Sequence, residues 1–176
     1  MENPARVVFA RDTRASGSRL VSVISAALTA SEVEFIDLKY MTTPQLHYVV
    51  RCKNTLGTQY EYGEPTEQGY YEKLAEAFKR VMRGVKVKGS LTVDCANGVG
   101  GPKLRELIKY LPGPEEGGMD IKIVNDDVIN PDSLNFEVRN SLCSSCFYLH
   151  TDWLLVWCRL CQNETTCSAF LQGSCS

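Results

Sequence analysis

Residues 91–111, LTVDCANGVGGPKLRELIKYL, read as strand, glycine-rich turn and helix. Leu91, Thr92 and Val93 form a β-prone run, which Asp94, Cys95, Ala96 and Asn97 carry to its carboxyl end. Gly98, Gly100 and Gly101 are expected to allow a tight turn with positive φ and close backbone approach. Pro102 suits a first helical turn, where its missing N–H costs nothing. Leu104, Leu107, Ile108 and Leu111 then recur at helical spacing, leaving Lys103, Arg105, Glu106 and Lys109 for water. A second β-prone run, residues 121–124, follows a Pro/Gly/Glu loop. Strand, helix and strand in this order make a βαβ unit, whose crossover is expected to be right-handed.

Such a turn admits two readings. Open α/β sheets bind ligands outside the carboxyl ends of their strands, and a helix N-terminus attracts phosphate. The same residues also serve as a structural turn with nothing bound. The glycine spacing does not meet the dinucleotide fingerprint. No Gly-Lys-Ser/Thr follows the glycines, so the phosphate-loop pattern fails as well.

The same alternation recurs upstream. Residues 6–10, RVVFA, read as a buried strand with Arg11, Asp12, Thr13 and Arg14 at its carboxyl end. Ser16 is a helix-cap candidate, and Leu20, Val23, Ile24, Ala27 and Leu28 give a helical stripe. Residues 33–38, VEFIDL, close a first βαβ unit. Thr42, Thr43 and Pro44 form the next turn, and Pro44 opens a short helix with Leu46, Val49 and Val50 on one face. Residues 54–65 read as a surface loop. Thr66 or Glu67 begins the longest helix, with Tyr71, Leu74, Phe78 and Val81 inward and Lys73, Glu76, Lys79 and Arg80 in water. Residues 84–89, GVKVKG, are a hinge. The expected architecture is α/β, with α/β/α layers and mixed, mostly parallel sheets, divided into domains at 1–84 and 85–137. Asp126 and Asp127 are adjacent, so on a strand they would point apart. They read as a solvated loop end rather than a metal site.

Charge and hydropathy exclude some partners. Lys and Arg total 19 against 21 Asp and Glu, a net charge of −2, with the basic residues scattered. That argues against nucleic acid. The longest apolar run, residues 153–157, is far below the roughly 18 residues of a membrane span. No charged-then-apolar leader opens the chain. The expectation is a cytoplasmic protein that does not enter the membrane.

The chain changes character at Glu137. Lysine vanishes after Lys122, and Cys143, Cys146, Cys158, Cys161, Cys167 and Cys175 crowd into residues 138–176. This tail has no helical or strand period along its length. It reads as unrelated sequence, disordered or translated from a retained intron, since a valine directly after the break matches the GT that opens introns. The alternative is a zinc element. Cys143, Cys146, Cys158 and Cys161 form C-x2-C-x11-C-x2-C, and paired CxxC elements bind zinc tetrahedrally. On that alternative the chain is a non-catalytic binding module.

Four stretches occur here in a known order: FARDTRASG at residues 9–17, MTTPQLHY at 41–48, QGYYEKL at 68–74 and VDCANGVGGPKLRE at 93–106. In this order they resemble phosphoacetylglucosamine mutases, members of the α-D-phosphohexomutase superfamily, in wording that looks fungal. The resemblance spans residues 4–137. It implies an isomerase that interconverts N-acetylglucosamine 6-phosphate and 1-phosphate through a phosphoserine and Mg²⁺, supplying UDP-N-acetylglucosamine. It also implies that Asp12, Thr13 and Arg14 match the family's Asp-Thr-Arg turn, with Arg14 near the phosphoserine. An arginine fork suits phosphate oxygens. Thr43 and Pro44 match the Thr-Pro turn of the cleft floor, and Asn97 and Gly98 match the Asn-Gly opening of the second domain. His47 lies in a matching motif but reads as a packed or exposed side chain. The family's serine loop is expected upstream of Met1 and its aspartate-rich metal loop after Glu137. No catalytic residue and no bound Mg²⁺ are therefore expected in this chain, which would be a fragment without turnover of its own.

Overall fold

The computed structural model describes residues 6–87, 89–135 and the backbone of 155–158. Strand β1 (Arg6–Arg11) and strand β2 (Glu34–Tyr40) pair in parallel, joined by helix α1 (Gly17–Ala30). The β-branched and aromatic run of β1 suits a pleated surface. Ala10 and Leu38 face helix α2 (Thr43–Thr55), while Phe9 and Phe35 stack at 5.7 Å. Alternation along each strand separates those two sets. The register shifts between Phe9 and Arg11, with Lys39 at φ 62°. That irregularity sets Arg11 opposite Tyr40, whose ring lies 4.7 Å from the Arg11 guanidinium carbon.

Helix α1 departs from the expected stripe. Val21, Ser25 and Leu28 are half-buried, whereas Leu20, Val23 and Ile24 are 57%, 61% and 41% exposed. The helix therefore carries a second apolar face turned to solvent. Ser16 stands at the cap position, but its side chain makes no capping bond.

Helix α2 starts as expected at Thr43 and Pro44. Gln45 closes the start by accepting from the Thr42 N–H at 2.9 Å, the reciprocal half of a capping box. Its buried face is Gln45, Tyr48, Val49 and Cys52, with Leu46 and Val50 at the flanks. Val49 is fully enclosed, and burying such a side chain contributes about 2 kcal/mol. Helix α3 (Glu67–Val81) is capped by Thr66, which accepts from the Gly69 N–H at 3.0 Å. Tyr71 and Ala75 are buried and Phe78 is half-buried, but Leu74 and Val81 are exposed. Lys73, expected in water, is half-buried instead. Its ammonium donates to the Tyr62 carbonyl and sits 3.8 Å from the Tyr62 ring centre, a cation–π contact that covers its apolar stem.

The second unit follows. Strand β3 (Ser90–Asp94) pairs in parallel with strand β4 (Asp120–Val124) across helix α4 (Gly100–Ile108). The turn between β3 and α4 corrects one expectation. Positive φ falls on Ala96 (50°) and Asn97 (54°), not on the glycines at 98, 100 and 101. Gly101 serves close approach: a Cβ there would meet the Asp126 Cβ at 2.8 Å. A four-residue strand, β5 (Leu155–Cys158), pairs antiparallel with β3. The sequence reading placed no element in that tail. The sheets are thus mixed and mostly parallel, as expected.

Candidate functional site

The carboxyl ends of β1 and β2 meet the N-terminus of α2 at a cavity of about 150 Å³. Arg11 and Asp12 line it from β1, and Met41, Thr42 and Thr43 from the turn after β2. Val99, from the turn that opens α4, closes it. The cavity therefore lies between the two α/β units, where strand ends and a helix N-terminus converge.

Two polar atoms at the carboxyl end of β1 are unspent. Arg11 Nε and Thr13 Oγ1 are buried and make no hydrogen bond among the described residues. A buried donor without a partner costs about 1–3 kcal/mol, and such a cost is tolerated where a ligand supplies the partner. Arg11 is otherwise held by a bond from Nη1 to Ser18 Oγ at 3.2 Å and by the Tyr40 ring. Asp12 accepts from the Arg14 N–H at 3.0 Å, and its other oxygen lies 3.5 Å from Arg14 Nε. This short-range pairing holds the Asp12–Arg14 turn in shape.

The site residues expected from sequence separate into two groups. Asp12 and Thr43 line the cavity, whereas Thr13 is not among its lining residues and keeps a buried hydroxyl with no hydrogen bond among the described residues. Arg14 adjoins through Asp12, and Pro44 is an exposed residue of the first turn of α2. Asn97 and Gly98 lie at the end of β3, with Val99 reaching the cavity after them. Asn97 uses its whole carboxamide locally: Nδ2 donates to the Ser133 carbonyl and Oδ1 accepts from the Asp127 N–H, both at 2.9 Å. Gly98 is buried against Leu134. Met41, Leu46 and Val99 were not singled out as site residues, because an apolar lining residue carries the same signature in sequence as a core residue. His47 is exposed.

Other titratable groups take structural places. Asp126 pairs with Arg105, and Asp127 accepts from the Ile129 N–H at 3.0 Å, so the adjacent aspartates do not converge. Burial, reinforced by Asp94, pushes the Cys95 thiol up to about 11, which keeps it protonated and inert. Among the described residues no group of three or more His, Cys, Asp and Glu side chains lies together as a metal site. The family's Mg²⁺ thus finds no fitting ligand set in the described part of this chain. Of the zinc candidates, Cys143, Cys146 and Cys161 lie outside the described residues, and Cys158 is placed only as backbone in β5. No described helix is long and apolar enough to cross a membrane.

Parallel pairing and helix order are those of an α/β unit, and a match to a family model assigns it to the phosphohexomutase class. Residues 1–58 match the family described as phosphoglucomutase/phosphomannomutase, alpha/beta/alpha domain I. Within that class the chain is a homologue of the phosphoacetylglucosamine mutases, of fungal type. It is 40% identical to phosphoacetylglucosamine mutase 2 of Schizosaccharomyces pombe over 131 residues, covering 74% of this chain and 24% of that protein. It superposes on the Aspergillus fumigatus N-acetylphosphoglucosamine mutase in complex with GlcNAc-6P and magnesium with a TM-score of 0.72 at 89% identity, over 78% of this chain and 27% of that one. A complex of an Aspergillus fumigatus variant with glucose 1,6-bisphosphate gives a TM-score of 0.73 at 90% identity, over 77% and 25%. The chain spans about a quarter of the length of the curated relatives it matches.

Proposed function

We propose that residues 4–137 of this chain contribute one wall of the sugar-phosphate cleft of a phosphoacetylglucosamine mutase, and that the chain by itself does not turn over substrate. The observation that carries this reading is the cavity at the strand ends, lined by Arg11, Asp12 and Thr43 at the N-terminus of α2. A guanidinium and a hydroxyl beside a helix N-terminus are suited to phosphate oxygens. In phosphoryl transfer most of the protein's contribution is positioning and charge compensation. Arg11 and Arg14 supply positive charge, and Asp12 orients the Arg14 turn. Thr43 and Pro44 shape the floor. Asn97 and Gly98 hold the opening of the second unit and so set where Val99 closes the cleft. Mg²⁺, when bound to the longer enzyme, offsets charge on the transferred phosphoryl group. No sequence of the serine-loop wording Thr-Ala-Ser-His-Asn-Pro occurs here, which is the reason for expecting no turnover. Nucleic acid is not an expected partner, and a cytoplasmic setting fits this chemistry.

The test is a titration of the purified chain with N-acetylglucosamine 6-phosphate, followed by amide NMR. Shifts confined to residues 11–14, 42–46 and 98–99 are expected, and Arg14→Ala should weaken them. An unperturbed cleft at millimolar ligand would refute the proposed site. Turnover in a Mg²⁺-containing mutase assay would refute the expected inactivity.

A further inference from the structure

A chain of side chains runs from the cavity wall to the second unit. The Thr42 N–H and its hydroxyl both donate to Gln45 Oε1 at 2.9 Å. Gln45 Nε2 donates to the Tyr71 hydroxyl at 3.0 Å. That hydroxyl donates in turn to Glu67 Oε1. Glu67 Oε2 receives the Lys103 ammonium at 2.7 Å. Thr42 borders the cavity, and Lys103 lies in the first turns of α4. Gln45 is 1% exposed and Tyr71 4%, so neither exchanges its partners for water. Burial and the adjoining Glu67 raise the phenol of Tyr71 well above its ordinary range, which keeps it a donor.

A carboxamide enclosed in a helix face is costly unless each of its groups is used. Here its oxygen is spent on the pocket wall and its nitrogen on the path to the other unit. Lys103 is also an unfavourable charge near a helix N-terminus, and Glu67 offsets it. The Tyr71 and Tyr110 rings meet at 5.6 Å beside the same path, so the units touch where the relay crosses.

We propose that Gln45 is a positioning residue: through Tyr71 and the Glu67–Lys103 pair it ties the Thr42–Thr43 wall of the cavity to the seating of the second unit. This coupling is independent of what the cavity binds, so it stands or falls apart from the proposed sugar-phosphate reading. Hydrogen exchange on the full chain tests it. Lys103→Met keeps the apolar stem and removes the charge. It should speed exchange of the Thr42 amide, on the order of threefold to tenfold, the reach of one neutral hydrogen bond. Amides of α1 and β2 should keep their rates, and Lys103→Arg should restore that of Thr42. Gln45→Met should speed the same amide, and adding Lys103→Met to it should change nothing more. The proposal is overturned by an unmoved Thr42 amide, by a speed-up shared with α1 and β2, by failure of the arginine to restore, or by additive effects in the double variant.

Discussion

Asn97 offers the sharpest test, because two accounts of it give opposite numbers. Its backbone is left-handed at φ 54°, and its carboxamide bonds the Ser133 carbonyl and the Asp127 N–H. Asn97→Gly keeps the backbone conformation accessible and deletes both bonds. At about 1 kcal/mol per bond, it should lower unfolding free energy by about 2 kcal/mol. Asn97→Ala deletes the same bonds and adds left-handed strain. After allowance for the greater unfolded-state freedom of glycine, that adds about 1 kcal/mol, for a total of about 3 kcal/mol. Urea unfolding followed by far-UV circular dichroism reads both values, and the order Asn, Gly, Ala is part of the expectation. If Asn97→Ala lowers stability by less than about 0.5 kcal/mol, the latch between the β3–α4 turn and the 127–133 loop is not what Asn97 provides. Loss of ligand shifts without loss of stability would instead make it a group that meets the sugar phosphate.

Gly101→Ala places a methyl 2.8 Å from the Asp126 Cβ, so overpacking should cost about 1–3 kcal/mol in the same assay, and an unchanged midpoint would show that the close approach is not required. Alkaline stability should follow Cys95. Its thiol rises from 9.0 to about 11 in the fold, so the native state holds the proton more tightly than the unfolded one. The resulting stability is full well below pH 9 and is lost as pH rises from 9 through 11, by about 2 kcal/mol over that window. Cys95→Ala should lessen that slope most clearly between about pH 9 and 10, before the phenols of Tyr48, Tyr70 and Tyr71, also raised by burial, add theirs, and an identical slope there in wild type and variant would refute the assignment.

Periodicity and turn chemistry alone located most elements. The runs RVVFA and VEFIDL became β1 and β2, Pro44 marked the start of α2, Thr66 capped α3, and the stretch at 91–111 formed strand, turn and helix. These follow from local physics, since alternation, capping and missing N–H groups act within a few residues. Which face of a helix is buried was less legible. On α1 the exposed Leu20, Val23 and Ile24 look, in sequence, like any core stripe. Apolar spacing states that a face seeks cover but not which neighbour supplies it.

The site divides the same way. Asp12, Thr13 and Thr43 were marked by the motifs of the resemblance, which fall where strands end. Val99 and Gln45 were not: one closes the cavity from the far unit, the other lies inside a helix face and bonds across to Tyr71. Both depend on contacts between residues distant in the chain, and no local pattern encodes those. The order of the four motifs was enough to point to the family, since three of them fall on strand-to-helix turns and the fourth, QGYYEKL, inside α3. Only the tertiary structure decided that Asn97 latches two loops, that Ala96 and Asn97 rather than the glycines take positive φ, and that the two units meet through a buried relay. Those outcomes come from how two sheets and their helices pack, and packing is a property of the assembled chain.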